Sequence, residues 1–107
     1  MAIVEWEPKT WLLYNGLLEN ARMEFGAKTA RRWEDEFVHF YGRLKLHPTS
    51  YTPELLLRGK SRCYRGCLIM SRRFKIIYYY DESEDTVHIV DIWDTKMNPR
   101  ALIRRIK

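Results

Sequence analysis

Cysteine, glycine, proline and long apolar runs are all scarce in this sequence. Each shortage excludes something. Only two cysteines occur, Cys63 and Cys67, too few for a disulfide scaffold. Four residues apart on one strand, they would sit roughly 13 Å from each other, beyond disulfide reach. They are expected as reduced thiols in a cytoplasmic protein, and Cys-x3-Cys without a second ligand pair argues against a metal site. With five glycines and four prolines there is no Gly- or Ser-rich linker, and no repeat or low-complexity tract appears. Residues 1–107 are therefore expected to form one domain. No window approaches ~18 uncharged apolar residues, which excludes a transmembrane helix and any membrane partnership through one. The opening Met-Ala-Ile-Val-Glu-Trp-Glu carries acids and no basic stretch, unlike a signal peptide. A Gly-rich phosphate loop, His-Glu-x-x-His and Gly-x-Ser-x-Gly are all missing. No hydrolase of a familiar kind and no cofactor is expected.

Charge and aromatic residues are plentiful. Hydrophobic residues make up 46% of the chain and aromatics 14%, enough for a folded core. The net charge of +5 is unevenly placed. Residues 1–57 hold 7 Lys/Arg against 8 Asp/Glu, whereas residues 58–107 hold 12 against 6. Seven of those cations fall between Arg58 and Lys75 and five between Lys96 and Lys107, with no acid in either stretch. Such an excess suits an anionic partner, an RNA backbone or an acidic protein, although a solvated basic face would look the same.

Periodicity outlines the elements. Residues 2–6 alternate as a first strand, and Pro8 suits the first turn of a helix. Trp11, Tyr14, Leu18, Ala21 and Phe25, widened by Leu17, form an apolar stripe that stops at Gly26. A second helix from about Lys28 to His47 carries Ala30, Trp33, Phe37, Phe40, Tyr41 and Leu44 on one face, with Arg31, Arg32, Glu34, Asp35 and Glu36 as solvated surface. Residues 48–61 read as a loop in which Leu55, Leu56 and Leu57 tuck under an edge. Three strands follow, at about 63–70, 74–80 and 86–93. Phe74, Ile76, Tyr78 and Tyr80 share one face of the middle strand, and Lys75, Ile77 and Tyr79 the other. That strand is apolar on both sides, so something beyond the helical hairpin, either the C-terminus or a partner, must cover its second face. Leu102, Ile103 and Ile106 mark a short basic terminal helix. The order is β-α-α-β-β-β plus a terminal helix, an α+β fold of two layers with a mostly antiparallel four-stranded sheet against an α-hairpin.

Few residues suggest catalysis. His39, His47 and His88 are scattered, and only His88 lies on a strand that could face a substrate. Asp91 and Asp94 fall on opposite strand faces, which argues against a carboxylate pair; Asp94 is expected to brace the turn that follows. The remaining signal is the cationic hairpin. Arg65 and Lys75 are its strand-borne cations, Arg62, Arg72 and Arg73 lie at its ends, and Tyr64, Tyr79 and Trp93 supply aromatic surface. Cations and aromatics on a sheet could hold RNA phosphates and unstacked bases, or dock acidic side chains.

Taken together, Ile3-Val-Glu-Trp-Glu-Pro8, Glu24-Phe-Gly-Ala-Lys-Thr-Ala30, Phe74-Lys-Ile-Ile-Tyr-Tyr-Tyr80 and Val87-His-Ile-Val-Asp-Ile-Trp-Asp-Thr-Lys-Met-Asn-Pro99 resemble the RelE/ParE superfamily of toxins from type II toxin–antitoxin systems, also called plasmid stabilisation proteins. The resemblance runs almost the full length. It implies a bacterial toxin held by a cognate acidic antitoxin, as a homodimer or a toxin–antitoxin heterotetramer. Two targets follow from it. A ParE-like toxin binds DNA gyrase; here Arg62, Arg65, Arg72, Arg73, Lys75, Tyr79, Trp93, Lys96, Arg100, Arg104 and Arg105 would contact target or antitoxin. A RelE-like toxin cuts messenger RNA on the ribosome; Arg65 and Lys75 would stabilise the phosphate and His88 or Tyr79 would transfer the proton. Cys67 stands where a further cation is expected, Lys96 would supply a late one, and no tyrosine follows Tyr80. With half of the cationic set present, the binding inhibitor is the expected function, the ribonuclease the alternative, and a decayed homologue that only binds its antitoxin the third.

Overall fold

The computed structural model describes residues 1–107. The chain runs β1 (Ile3–Trp6), α1 (Pro8–Phe25), α2 (Ala27–Leu46), a 3-10 turn (Leu55–Leu57), β2 (Tyr64–Ile69), β3 (Phe74–Asp81), β4 (Thr86–Asp94) and α3 (Pro99–Arg105). Pro8 opens α1 where a missing N–H costs nothing. Gly26 links the helices. With φ at 93° it ends α1 by donating its N–H to Arg22 O and starts α2 by accepting from Ala30 N. At that φ with ψ of 166°, a side chain would be strained. The α1 stripe is rotated from its expected position: Thr10, Tyr14, Leu18 and Ala21 are buried, while Trp11 and Phe25 are nearly half exposed. In α2 the expected Ala30, Trp33, Phe37, Phe40 and Leu44 are all buried.

The strands lie in the order β1-β4-β3-β2. β2–β3 and β3–β4 pair antiparallel, but β1 runs parallel to β4, so the sheet is mixed. That pairing places Glu5 opposite His88. Beside Ile77 and Tyr78 the β3–β4 register slips, because Ile77 opposes Asp91 and Tyr78 opposes Ile89. Val90 is the extra residue of this bulge, and its carbonyl accepts a 2.9 Å hydrogen bond from the buried Thr10 Oγ1.

The α-hairpin covers one face of the sheet, packing Tyr14, Trp33, Phe37 and Phe40 onto Ile76, Tyr78, Val87, Ile89 and Ile92. The other face carries a second, smaller core of Leu57, Tyr64, Ile77, Val90, Trp93, Leu102 and Ile106. The chain's own C-terminus therefore covers that face, as one of the two sequence expectations required. The two-layer description is incomplete for the same reason: α3 adds a partial third layer. Of the three leucines expected to tuck under the edge only Leu57 does, at 1% exposure; Leu55 and Leu56 face outward. Glu36 is not plain solvated surface either. Its carboxylate accepts from Met70 N at 2.9 Å, where Met70, Ser71 and Arg72 turn the β2–β3 corner with φ of 53°, 56° and 68°. No helix is long and apolar enough to cross a membrane.

Candidate functional site on the open sheet face

α3 is short, and it covers only the end of the sheet that carries Ile77, Val90 and Trp93. Ile3, Glu5, Tyr79 and His88 share that face at the other end by the strand alternation and register. Ile3 is 58% exposed, and Tyr79 and His88 are half-buried. Here the rings of Tyr79 and His88 stack at 4.8 Å and 21°. Arg62 lays its guanidinium over Tyr79, 4.6 Å from the ring centroid, and Tyr64 meets the same ring edge-on at 5.7 Å. Glu5 brings a carboxylate oxygen to 3.9 Å from His88 Nδ1. An imidazole, a phenol, a guanidinium and a carboxylate thus converge on one exposed strip. Such a set can hold an anion and move a proton.

The two strand-borne cations are not part of it. Arg65 pairs with Tyr78 and Lys75 with Leu68, so they project from opposite faces of the sheet. Their expected joint grip on one phosphate fails for that reason. Each also has an internal partner. Arg65 donates to Tyr51 O at 2.7 Å, and Lys75 forms a 2.6 Å ion pair with Glu54, whose side chain is 8% exposed. Lys75 reaches Glu54 across Gly66, where a Cβ would stand 2.9 Å from Lys75 Cδ.

The other expected contact residues are dispersed. Arg72 is exposed in the left-handed corner, and Arg73 lies over Phe25 at 5.1 Å. Trp93 is not aromatic surface: it is 3% exposed, sealed beneath α3, with Arg105 above it at 5.7 Å. Arg105 is spent on the buried Asp91 at 2.5 Å. Burial pushes the Asp91 carboxyl up, Arg105 pulls it down, and burial wins. Asp94 accepts from Lys96 N at 2.9 Å, bracing its turn as expected. Lys96, Arg100 and Arg104 remain exposed.

Sequence reasoning missed Glu5, Glu54 and the acids beside His88. Nothing local marks Glu5 or Glu54, which the parallel register and the path of the 48–61 segment put in place, whereas the acids beside His88 come from its own hairpin.

No family model and no curated protein matches the sequence. Solved structures do. The isolated E. coli RelE toxin superposes with a TM-score of 0.58 at 10% identity, covering 97% of this chain and 98% of that one. A metal-bound toxin from Helicobacter pylori gives 0.61 at 18% identity over 90% and 97%. A chain of the intact E. coli RelBE toxin–antitoxin complex gives 0.58 at 9% identity over 91% and 100%. The likeness extends over nearly the whole of each chain, and it is a likeness of fold: this protein has the RelE/ParE-type toxin fold.

Proposed function

We propose that the chain is the toxin of a toxin–antitoxin pair, neutralised by an acidic antitoxin, and that it acts by binding its target, DNA gyrase, as the ParE-like toxins do. One observation carries the preference for binding over cleavage. The two cations that a phosphate-cleaving set would need lie on opposite sheet faces and are held by Glu54 and Tyr51 O. Arg62, Arg72, Lys96, Arg100 and Arg104 stay exposed and free to meet an acidic surface, where charge complementarity speeds encounter and selects the partner. That a chain of the same fold occurs in a toxin–antitoxin complex supports the antitoxin as partner.

A second reading rests on the stacked Tyr79–His88 pair beneath Arg62. In a ribonuclease, the 2′-hydroxyl of the substrate would attack the neighbouring phosphorus. His88 would take its proton, Tyr79 would protonate the leaving 5′-oxygen, and Arg62 would hold the charge that develops.

Controlled expression in a bacterial host separates the readings when thymidine and methionine incorporation are followed together. Thymidine falling first, with supercoiling blocked by the purified protein in the absence of RNA, supports the gyrase binder. Methionine falling first, and restored by His88→Gln, transfers the assignment to the ribonuclease. Unimpaired growth in hosts whose gyrase and ribosomes are sensitive to related toxins leaves an antitoxin-binding homologue without toxicity.

A further inference from the structure

We propose that Asp81, Glu84 and His88 form a binding site for a divalent transition-metal ion, with zinc as the ion that fits the donors best. One ligand atom from each of the three lies within 4.8 Å of the others. All three come from the β3–β4 hairpin: Asp81 ends β3, Glu84 is in the turn, and His88 sits on β4. In the register Tyr79 opposes His88 and Asp81 opposes Thr86, so Asp81 and His88 are diagonal neighbours on one face.

Several features distinguish this group from a solvated acidic loop. The imidazole is a metal ligand in its own right, and its ring plane is set by the stack on Tyr79. Asp81 is held too: Oδ1 accepts from Ser83 N at 3.0 Å and Ser83 Oγ at 2.7 Å, leaving Oδ2 for an ion. From the other side Glu5 approaches His88 Nδ1 to 3.9 Å and comes from a different strand, β1. Glu5 is placed to orient the ring or to complete the shell. Ligands on one zinc ion lie about 2.0–2.2 Å from it, so the three atoms must close in by roughly an ångström, which the exposed Glu84 permits. One nitrogen and two carboxylates favour zinc or its first-row neighbours over magnesium and calcium, which prefer an all-oxygen shell. Arg62 lies beside the group, over the Tyr79 ring on which His88 stacks. It is exposed, so its guanidinium can turn to solvent while its stem stays on Tyr79.

The test is calorimetric titration of the full-length, chelator-stripped protein with Zn²⁺ alone, with millimolar Mg²⁺ present as competitor. One equivalent is expected to bind, and His88→Gln and Glu84→Gln are each expected to weaken it by about tenfold or more. His39→Gln, His47→Gln and Cys63→Ser remove the exposed histidine and cysteine donors outside the group and are expected to leave the affinity unchanged. Urea unfolding of every variant checks that the fold is retained. No saturable binding below about 1 mM, near 4 kcal/mol of affinity, would overturn the site. So would binding that survives His88→Gln, or that is lost only with Cys63, His39 or His47. Because the readout is metal bound rather than toxicity, the result stands whichever target the protein has.

Discussion

The sequence reading gives Lys75 a contact with target or antitoxin, or with a substrate phosphate in the ribonuclease alternative, and the structure instead gives it Glu54. The two views part clearly on Lys75→Ala. The Glu54 side chain is 8% exposed and that of Lys75 27%, with 2.6 Å between the charged atoms. Removing the lysine strands a largely buried carboxylate whose only other bond is the 3.2 Å one from Leu56 N. Breaking a fully buried pair costs about 3–5 kcal/mol. Lys75 keeps some solvent contact, so the expected loss here is about 2–3 kcal/mol. Glu54→Gln should cost less, about 1–2 kcal/mol, since the ammonium can reach water. The double variant Glu54→Leu/Lys75→Met removes both charges and should recover most of the stability. Urea unfolding of the wild type, the singles and the double forms a double-mutant cycle, with an expected coupling of about 1.5–3 kcal/mol. A Lys75→Ala variant that loses under about 0.5 kcal/mol, with negligible coupling, would refute the structural assignment and return Lys75 to the functional surface. Toxicity retained in the folded double variant would show that Lys75 is not part of the toxic machinery.

Other perturbations test the fold. Burial, first among the causes in each case, raises the Tyr14, Tyr51 and Tyr78 hydroxyls from the usual 10.0 to about 12. A folded-state pKa above the unfolded one means stability that is full below pH 10 and lost as pH rises toward 12. Absorbance at the phenolate band should show these three ionising together with unfolding. Thr10→Val leaves the bulge carbonyl of Val90 buried without its donor, and about 1–2 kcal/mol should be lost in urea unfolding. Gly26→Ala forces a side chain into φ 93° at the α1–α2 junction and should cost about 1–3 kcal/mol, read as a lower thermal midpoint.

Most elements were legible because their signals are local. Pro8, Gly26 and the 3.6-residue spacing of aromatics delimit α1 and α2 without reference to the rest of the chain. The two-sided apolarity of residues 74–80 identified a central strand, and β3 does lie inside the sheet. The candidate site was legible only in part. His88 and Tyr79 were named as separate proton-transfer groups, and nothing in the sequence joins them. The register at Tyr79–His88 does, and the parallel approach of β1 then adds Glu5. The cation cluster was misread because Arg65 and Lys75 lie ten residues apart across a turn, and which faces they share depends on how that turn sets the register.

Which segments are helix and strand, that the sheet needs cover on both faces, and that positive charge gathers in the C-terminal half can all be read from residue order. Those follow from periodicity and composition, which each residue carries wherever it is placed. Which cations remain free depends on the folded chain. Desolvation and pairing depend on what lies within a few ångströms, and for Lys75 that neighbour is Glu54, 21 residues away in the chain. The folded chain likewise decides that α3 seals Trp93 and leaves Tyr79 and His88 facing outward, because a seven-residue helix is too short to cover the whole face.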